Sequence, residues 1–268
     1  MDCTDEVRDF YNAAVEAEWN RIADRPEFIL TCRFIDRYVK AGDRVLDIGG
    51  GPGRYSFYLA QKGCDVTLLD LSEANVEFAA KHAEQTDTAL RAVCGDARKA
   101  DRLTEGLFDS VLLMGPLYHL LDEADRVEAV NAALRCLKPG GVLFASFISV
   151  YGGLIYMMKI APEIILSQVP MEIAFRDVLI NGESYSGDAF TKAFFVQPKE
   201  ILPFMERFEL EKLHLFGQEG VMSPTEEKVY SCGRQVVDAM LDFSESVCEN
   251  DELMSWAEHI MYVGRKKG

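Results

Sequence analysis

The chain has 268 residues, of which 49% are hydrophobic, and a formal net charge of −16. The apolar content is ample for a folded core and argues against a disordered chain. The acidic excess repels phosphate backbones, so nucleic acid is a disfavoured partner. Seven cysteines stand apart without a C-x-x-C pair, and the acidic N-terminus lacks a secretory signal. We therefore expect free thiols in a cytoplasmic protein and predict no metal site.

The N-terminal residues 5–39 are predicted to be helical, because apolar residues recur at steps of three and four. Pro26 is expected to begin a new helix in its first turn. Ala41-Gly42-Asp43 then stops the helical pattern. We therefore predict an N-terminal helical segment over residues 1–40.

Apolar strand patterns and helical patterns alternate from residue 44 onward. The predicted strands cover 44–48, 65–70, 89–93, 108–113 and 142–148, and the predicted helices cover 54–62, 73–85 and 123–137. Repeated strand–helix units predict a parallel sheet with helices on both faces, joined by right-handed crossovers.

This alternation stops after Tyr151. Residues 152–193 hold two apolar helical patches and then a polar loop at 181–189, and they are predicted as a helical insertion beyond the strand ends. Two ordinary core helices are the alternative. A helix at 199–207 and a strand at 208–216 follow, and a last strand is predicted at 259–265.

No residue from Pro139 to Met158 is charged, a length that would span a bilayer. However, Pro139-Gly140-Gly141 opens this stretch and Gly152-Gly153 interrupts it. Parallel strands that are covered on both faces also appear as continuous apolar runs. We therefore predict a buried strand followed by a loop, and no membrane partner.

The first strand leads into a glycine-rich turn, Asp47-x-Gly49-x-Gly51-x-Gly53. Glycine lacks a Cβ, so the backbone can turn tightly and approach a ligand closely. Asp70 ends the next strand about 20 residues on, the spacing at which a carboxylate meets ribose hydroxyls. A dinucleotide-binding fingerprint requires Gly or Ala where Ser56 stands, so that interpretation fits less well.

Four ordered motifs make the chain resemble the class I S-adenosylmethionine (SAM)-dependent methyltransferases that act on small molecules. Asp47 to Gly53 resembles motif I of that family, and Asp70 resembles its acidic residue after strand two. Gly95-Asp96-Ala97 resembles the adenine-side motif, and Leu137-Lys138-Pro139-Gly140-Gly141 resembles the turn before strand five. The resemblance is specific over residues 38–150 and weaker over 195–267.

The resemblance implies an α/β fold with a Rossmann-like, doubly wound sheet of about seven strands whose last strand is antiparallel. The SAM-binding core is expected at 41–151 and 194–268. The N-terminal helical segment is expected to act as a lid. The insertion at 152–193, after strand five, is expected to cover the acceptor pocket.

The resemblance also implies roles for individual residues in a SAM site. Asp47 is expected to hold the turn or meet the amino group of SAM, Asp70 to accept from the ribose hydroxyls, and Asp96 to accept from the adenine amine. Tyr11 is expected to cover the sulfonium, and Arg21 to meet the SAM carboxylate. The predicted cofactor-binding residues are Tyr11, Arg21, Asp47, Gly49, Gly50, Gly51, Gly53, Asp70, Leu71, Asp96, Ala97, Met114 and Gly115.

Tyr118 and His119 follow strand four and are the predicted catalytic residues. Methyl transfer depends largely on positioning, and a base is needed only where the acceptor keeps its proton. His119 is the candidate base, because its ordinary pKa suits neutral pH. The alternative for both residues is a place in the wall of the pocket.

The expected activity is transfer of a methyl group from SAM to a nitrogen, oxygen or carbon atom of a small molecule, with S-adenosylhomocysteine as product, by a monomer or homodimer. One alternative is a SAM-binding protein without methyl transfer, and another is a nicotinamide-dependent oxidoreductase that uses the same loop and Asp70. Gly115-Pro116-Leu117-Tyr118 lacks the polar-Pro-Pro-aromatic motif of DNA amino-methyltransferases. The placement of the cysteines argues against arsenite methylation, and the net charge argues against tRNA.

Overall fold

The computed structural model describes residues 3–268 and contains a single mixed sheet that is flanked by helices. Met1, Asp2 and the side chain of Cys3 lie outside the described part. The strands are β1 (Arg44–Ile48), β2 (Asp65–Asp70), β3 (Leu90–Cys94), β4 (Phe108–Leu113), β5 (Leu137–Ser149), β6 (Tyr185–Asp188), β7 (Lys192–Val196), β8 (Leu210–Gly217) and β9 (His259–Lys266).

Thirteen α-helices occur in the described residues. They are α1 (Cys3–Ala13), α2 (Val15–Arg21), α3 (Pro26–Ile35), α4 (Arg54–Gln61), α5 (Glu73–Gln85), α6 (Ala100–Leu103), α7 (Pro116–His119), α8 (Glu123–Cys136), α9 (Val150–Lys159), α10 (Pro170–Asn181), α11 (Pro198–Met205), α12 (Glu226–Tyr230) and α13 (Arg234–Val247). Pro26 begins α3, as its sequence position predicts.

The strands β3-β2-β1-β4-β5 pair in parallel, and β9 pairs antiparallel with β5 and with β8. Ile48 at the end of β1 is aligned with Leu69 of β2 and Leu113 of β4. The carboxyl ends of the central strands therefore lie side by side. This register brings the glycine turn, Asp70 and Met114 to one edge of the sheet.

Helices cover both faces of the sheet, which explains the continuous apolar strands. Val45 and Leu46 are both fully buried, although they point to opposite faces. Val45 packs in a cluster that includes Phe34 of α3 and Leu59 of α4. Leu46 packs in another cluster, with Ala129 of α8. The predicted doubly wound sheet is confirmed, as is the antiparallel last strand.

The predicted strand count is low by two, and the predicted loop at 181–189 is wrong over Tyr185–Asp188. There β6 forms an antiparallel hairpin with β7, and β7 pairs in parallel with Ile148 and Ser149 at the end of β5. The strand alternates between buried Tyr185 and exposed Ser186. A four-residue strand with one large apolar residue gives too little periodicity to be predicted.

The apolar stretch from Pro139 to Met158 divides between β5 and α9. Among the described residues, no helix is both long and apolar enough to cross a membrane. The predicted loop after strand five is wrong, since α9 begins at once at Val150, with the Ser149 hydroxyl accepting from the Tyr151 N–H.

The loops after β1 and β4 touch through glycines. Gly49 has φ of +76°, and a Cβ built on it would lie 2.4 Å from Pro116 Cδ and 2.9 Å from the Met114 carbonyl oxygen. A Cβ on Gly115, whose φ is +126°, would lie 3.2 Å from the Gly49 carbonyl oxygen. Side chains at these positions would push the two loops apart.

We predict that Gly49→Ala destabilises the protein more than Gly140→Ala. Both glycines have φ of +76°, but a Cβ on Gly140 meets no atom within 4 Å. The control should lose only the cost of left-handed backbone, about 1–2 kcal/mol. Gly49→Ala adds overpacking of about 1–3 kcal/mol. Urea unfolding measures both losses, and equal losses would contradict the close approach of the loops.

Candidate active site

A cavity of about 710 Å³ opens at the carboxyl ends of the parallel strands. Twelve of the thirteen predicted cofactor-binding residues line it. The exception is Gly53, which lies at the N-cap of α4, where a Cβ would lie 3.1 Å from the Phe57 ring and 3.2 Å from Leu68. The cavity size falls in the range of small-molecule sites.

Asp47 at the end of β1 is fully buried and lines this cavity. Its Oδ2 accepts a hydrogen bond from the Ser56 hydroxyl at 2.7 Å, while its Oδ1 has no hydrogen-bond partner among the described residues. Burial raises the pKa of Asp47 to about 7, and the nearby Asp70 carboxylate acts in the same direction. A buried acceptor without a donor is costly, and a ligand cation here would relieve that cost.

Asp70 at the end of β2 fastens the glycine turn to the next helix. Its Oδ2 accepts from the Gly51 N–H at 2.8 Å, and its Oδ1 accepts from the Ser72 N–H at 2.9 Å and the Asn75 amide at 3.2 Å. Burial raises the pKa of Asp70. A carboxylate has about four acceptor sites, so the described bonds leave room for about one hydroxyl of a ribose. Asp70 thus lines the cavity and also holds the glycine turn in position.

Asp96, after β3, lines the cavity but is engaged by a cation. The Arg98 guanidinium donates to both carboxylate oxygens, with contacts of 2.6–3.0 Å, and the Arg98 N–H donates to Oδ1. Burial alone would raise the pKa of Asp96, but the Arg98 bonds hold it below its ordinary value. An adenine amine would share these oxygens with Arg98. Ala97 and Leu71 also line the cavity.

His119 and Tyr11 both line the cavity and are in direct contact. The Nδ1 of His119 lies 2.9 Å from the Lys192 carbonyl oxygen, and its Nε2 lies 2.7 Å from the Tyr11 hydroxyl. Because a carbonyl only accepts, Nδ1 carries the proton and Nε2 accepts from Tyr11. Burial lowers the pKa of His119 to about 4, so the ring is neutral. The predicted base therefore holds helix α1 in place, and proton abstraction would require Tyr11 to move.

Arg21 lines the cavity beside two carboxylates. It donates to Glu27 at 2.8 Å and to Glu18 at 3.1 Å. Arg21 was predicted to contact the SAM carboxylate. It would have to do so while bonded to both glutamates, or exchange one of them for SAM.

The pair of His259 and Glu219 was not predicted from the sequence as part of the site. His259, the first residue of β9, lines the cavity, and its Nδ1 lies 2.7 Å from Glu219 Oε1 and 3.9 Å from Glu27 Oε2. Burial alone would lower its pKa, but the two carboxylates raise the pKa of His259 to about 9. No local motif predicts this pair, because its members are 40 residues apart in the chain. The one available signal was the position of His259 at the start of the last predicted strand.

The other half of the cavity is mainly apolar and is lined by the segment that follows β5, which also contributes Glu172, Arg176 and Asp188. Its wall includes Tyr156, Met157, Met171, Phe175, Phe190 and Phe195. Gly153 of α9 lies against the Phe175 ring of α10, where a Cβ would lie 2.2 Å from the ring. Tyr118 lies between the two halves, with its ring centroid 4.9 Å from that of His119 and 6.2 Å from that of His259.

These features fit SAM. The unpartnered Asp47 oxygen suits an ammonium group, and a cradle without side chains lies at Gly51, where a Cβ would meet only the Asn75 amide at 4.0 Å. The cavity then continues from this polar end to an apolar end. The polar end matches a cofactor whose cationic amino-acid tail lies at the turn. The apolar end matches an acceptor that lies beyond the cofactor.

A family model described as a methyltransferase domain matches residues 45–141 of the chain. This range runs from β1 through the turn before the buried part of β5, and it contains every predicted motif up to Gly141. The methyltransferase resemblance is thereby confirmed for the core of the sheet.

The chain is 28% identical over 176 residues to a ubiquinone biosynthesis O-methyltransferase of Pectobacterium carotovorum subsp. carotovorum. The alignment covers 66% of each chain, so this chain spans just under two thirds of that relative's length.

Solved structures agree in fold. Magnesium protoporphyrin IX methyltransferase from Synechocystis, solved with S-adenosylhomocysteine, superposes with a TM-score of 0.60 at 15% identity, covering 99% of this chain and 100% of that chain. The cyclase SpnF superposes with a TM-score of 0.57 at 18% identity, covering 90% and 81%. At these identities the likeness shows the fold alone.

We predict that Asp47→Asn stabilises the protein at pH 8 and leaves its stability near pH 4 unchanged. The pKa of Asp47 lies near 7 in the folded state, against 3.8 ordinarily, so the wild type loses stability as the pH rises through that interval. The variant escapes this loss, which amounts to at most about 4 kcal/mol. Denaturant unfolding across this pH range measures it.

Asp109→Asn is the control of opposite sign. The Lys138 ammonium and the Arg44 N–H outweigh burial and hold the pKa of Asp109 below its ordinary value. This variant should therefore lose stability at neutral pH. Equal pH profiles for wild type and Asp47→Asn would contradict the buried, unpartnered carboxylate.

Proposed function

We propose that the chain is a class I SAM-dependent methyltransferase, which transfers a methyl group from SAM to a small-molecule acceptor. The observation that carries this proposal is the buried Asp47 oxygen without a partner, at the polar end of a cavity whose other end is apolar. Asp70 and Asp96 stand at the next two strand ends around the same cavity.

In this proposal the residues of the polar end orient the cofactor. Asp47 accepts from the amino group, Gly51 gives the tail a surface without a side chain, and Asp70 accepts from the ribose. SAM supplies a methyl carbon that is already activated by a positive sulfur. The chain's contribution is then chiefly to hold donor and acceptor in line and to exclude water, and such positioning removes much of a barrier.

Helices α1 and α2 exclude water from the polar end. The Asn12 side-chain oxygen accepts from the Ser72 hydroxyl at 2.6 Å and from the Ala74 N–H at 3.2 Å, which ties α1 to the start of α5. The Arg54 guanidinium donates to the Trp19 carbonyl and lies 3.8 Å from its ring, which ties α2 to α4. Tyr11 and His119 complete this cover, with Tyr118 as the wall beside the reacting atoms.

The apolar end favours an acceptor with a flat apolar body, because aromatic and methionine side chains form its wall. Oxygen is the acceptor atom to examine first, since the curated relative is named as an O-methyltransferase. We also propose that the enzyme works in the cytoplasm, as a monomer or homodimer, without a nucleic-acid partner.

A SAM-binding protein without methyl transfer is the second candidate. It is favoured by one observation, that a cyclase shares the fold. Methylation of any acceptor by the purified protein would eliminate it. A nicotinamide-dependent oxidoreductase is the weaker rival, because Ser56 stands where a dinucleotide fingerprint requires Gly or Ala.

Calorimetric titration with SAM, S-adenosylhomocysteine and NADH tests the cofactor, and transfer of a labelled methyl group from SAM to a panel of phenols, amines and carboxylates tests the reaction. We expect both adenosyl compounds to bind and NADH not to bind. Binding of NADH without SAM would overturn the proposal.

We predict that Asp70→Asn weakens SAM binding at least about a hundredfold. The amide then presents a donor to Gly51 or to Ser72 and Asn75, which are donors themselves, so both the loop and the ribose contact suffer. Asp65→Asn on the same strand is the control, because Asp65 is exposed at the opposite end of β2. Calorimetry compares the two affinities, and similar values would contradict this role of Asp70.

A further inference from the structure

His259 is the group in the cavity that neither the cofactor residues nor the predicted base explains. It is held from one side only. Glu219 Oε1 lies 2.7 Å from its Nδ1, and Glu219 Oε2 accepts from the backbone N–H groups of Glu258 and His259 at 3.0 and 3.1 Å. Three bonds to one buried carboxylate fix both the strand start and the ring.

The other ring nitrogen, Nε2, has no hydrogen-bond partner among the described residues. The ring lines the cavity, while its anchor Glu219 does not. The side chain retains 12% of its exposure. With Nδ1 held by Glu219, Nε2 is the ring nitrogen that is available to a ligand.

The charged groups around the ring already have partners. Arg21 bonds to both Glu18 and Glu27, and His259 in its charged form pairs with Glu219. Glu258 lies 3.5 Å from the Lys159 ammonium and accepts from the Ser223 hydroxyl. Tyr118 keeps its proton because burial raises its pKa. The cationic donor of this group without a partner among the described residues is the imidazolium N–H at Nε2.

We propose that His259, oriented by Glu219, binds the ionised oxygen of the methyl acceptor, and that the acceptor is therefore an acidic hydroxyl compound such as a phenol or enol. This inference rests on the proposed function and names its substrate class. The apolar wall of Tyr156, Phe175 and their neighbours takes the body of the molecule. His259 is thus a catalytic residue and Glu219 a positioning residue.

The proton balance follows from this arrangement. The acceptor hydroxyl gives its proton to solvent as the anion binds to the imidazolium. The oxygen then forms the bond to the methyl carbon, and the carbon–sulfur bond breaks with its electron pair remaining on sulfur. The imidazolium keeps its proton throughout. The ether product is neutral, so the imidazolium no longer holds it by charge.

A divalent cation is the competing interpretation, because oxygen and nitrogen atoms of Glu27, Glu219 and His259 lie within 4.8 Å of one another. These atoms already face donors. Arg21 occupies one Glu27 oxygen, and one N–H from the ring and two from the backbone occupy both oxygens of Glu219. The group is built as an anchored imidazolium.

The test uses 4-nitrophenol as a chromogenic probe with the S-adenosylhomocysteine-bound protein, at a pH below the pKa of the free phenol. We expect wild-type protein to bind the probe as its coloured phenolate. His259→Gln should weaken this binding at least about tenfold, because a charge-assisted bond is lost. Glu219→Gln should weaken it less, and nitrobenzene, which lacks the hydroxyl, should bind equally to all proteins.

His214→Gln is the matched control. His214 also has a carboxylate on its Nδ1, Glu249 at 2.9 Å, but it lies outside the cavity, and its Nε2 is bonded to the Tyr38 hydroxyl. This variant should bind the phenolate as the wild type does. Thermal unfolding and S-adenosylhomocysteine binding show whether each variant is folded.

Imidazole carbon–proton NMR signals give an independent readout, since the chain has four histidines that single substitutions assign. The His259 signal should titrate near pH 9, at a lower pH in Glu219→Gln, and should shift on addition of 4-nitrophenol. A shift produced instead by Mg²⁺ or Zn²⁺ would overturn the proposal.

Failure of the two proposals is distinguishable. Absence of SAM and S-adenosylhomocysteine binding defeats the proposed function. Binding of S-adenosylhomocysteine, combined with no phenolate binding by the wild type or with equal phenolate binding by His259→Gln, defeats the role of His259 alone.

Discussion

The contact between the loops after β1 and β4 sets the geometry on which the site depends. The Gly49 and Gly115 backbones approach closely: a Cβ on Gly49 would overlap Pro116, and a Cβ on Gly115 would lie only 3.2 Å from the Gly49 carbonyl oxygen. This contact closes the floor of the cavity between the two strands. It also fixes where Asp47 and Tyr118 stand relative to each other, one at the end of β1 and the other in α7 just after β4.

The carboxylates around the cavity differ in their hydrogen-bond partners. These partners decide which carboxylate oxygens remain able to bind a ligand. Asp96 is satisfied by Arg98, and Asp70 is largely satisfied by the glycine turn and α5. Asp47 is left with an unpartnered oxygen. Glu27 bonds to Arg21, which also bonds to Glu18, and Glu219 bonds to His259. Among the described residues, the Asp47 and Asn75 side-chain oxygens therefore remain unsatisfied acceptors in the wall of the cavity.

Sequence reasoning succeeded where the signal was local. The strands β1, β2 and β4 have the predicted bounds, because each is a short apolar run between glycine or polar stops. The convergence of Asp47, Asp70 and Asp96 followed from the rule that parallel strands end at one edge. The hairpin β6–β7 and the His259–Glu219 pair could not be predicted in the same way. The hairpin has too few apolar residues to show a period, and the pair joins residues 40 positions apart through strand pairing.

The neutral His119 ring joins three separate parts of the chain. Its Nε2 accepts from the Tyr11 hydroxyl of α1, and its own backbone belongs to α7. Its Nδ1 donates to the carbonyl oxygen of Lys192 at the start of β7. The Lys192 ammonium also lies 3.4 Å from Glu6 of α1. The cover over the cofactor end and the hairpin beside the acceptor end are thus mechanically joined at one ring. Withdrawal of α1 would remove one of the hydrogen bonds that orient this ring, so a change at the cofactor end of the cavity would reach the hairpin at the other end.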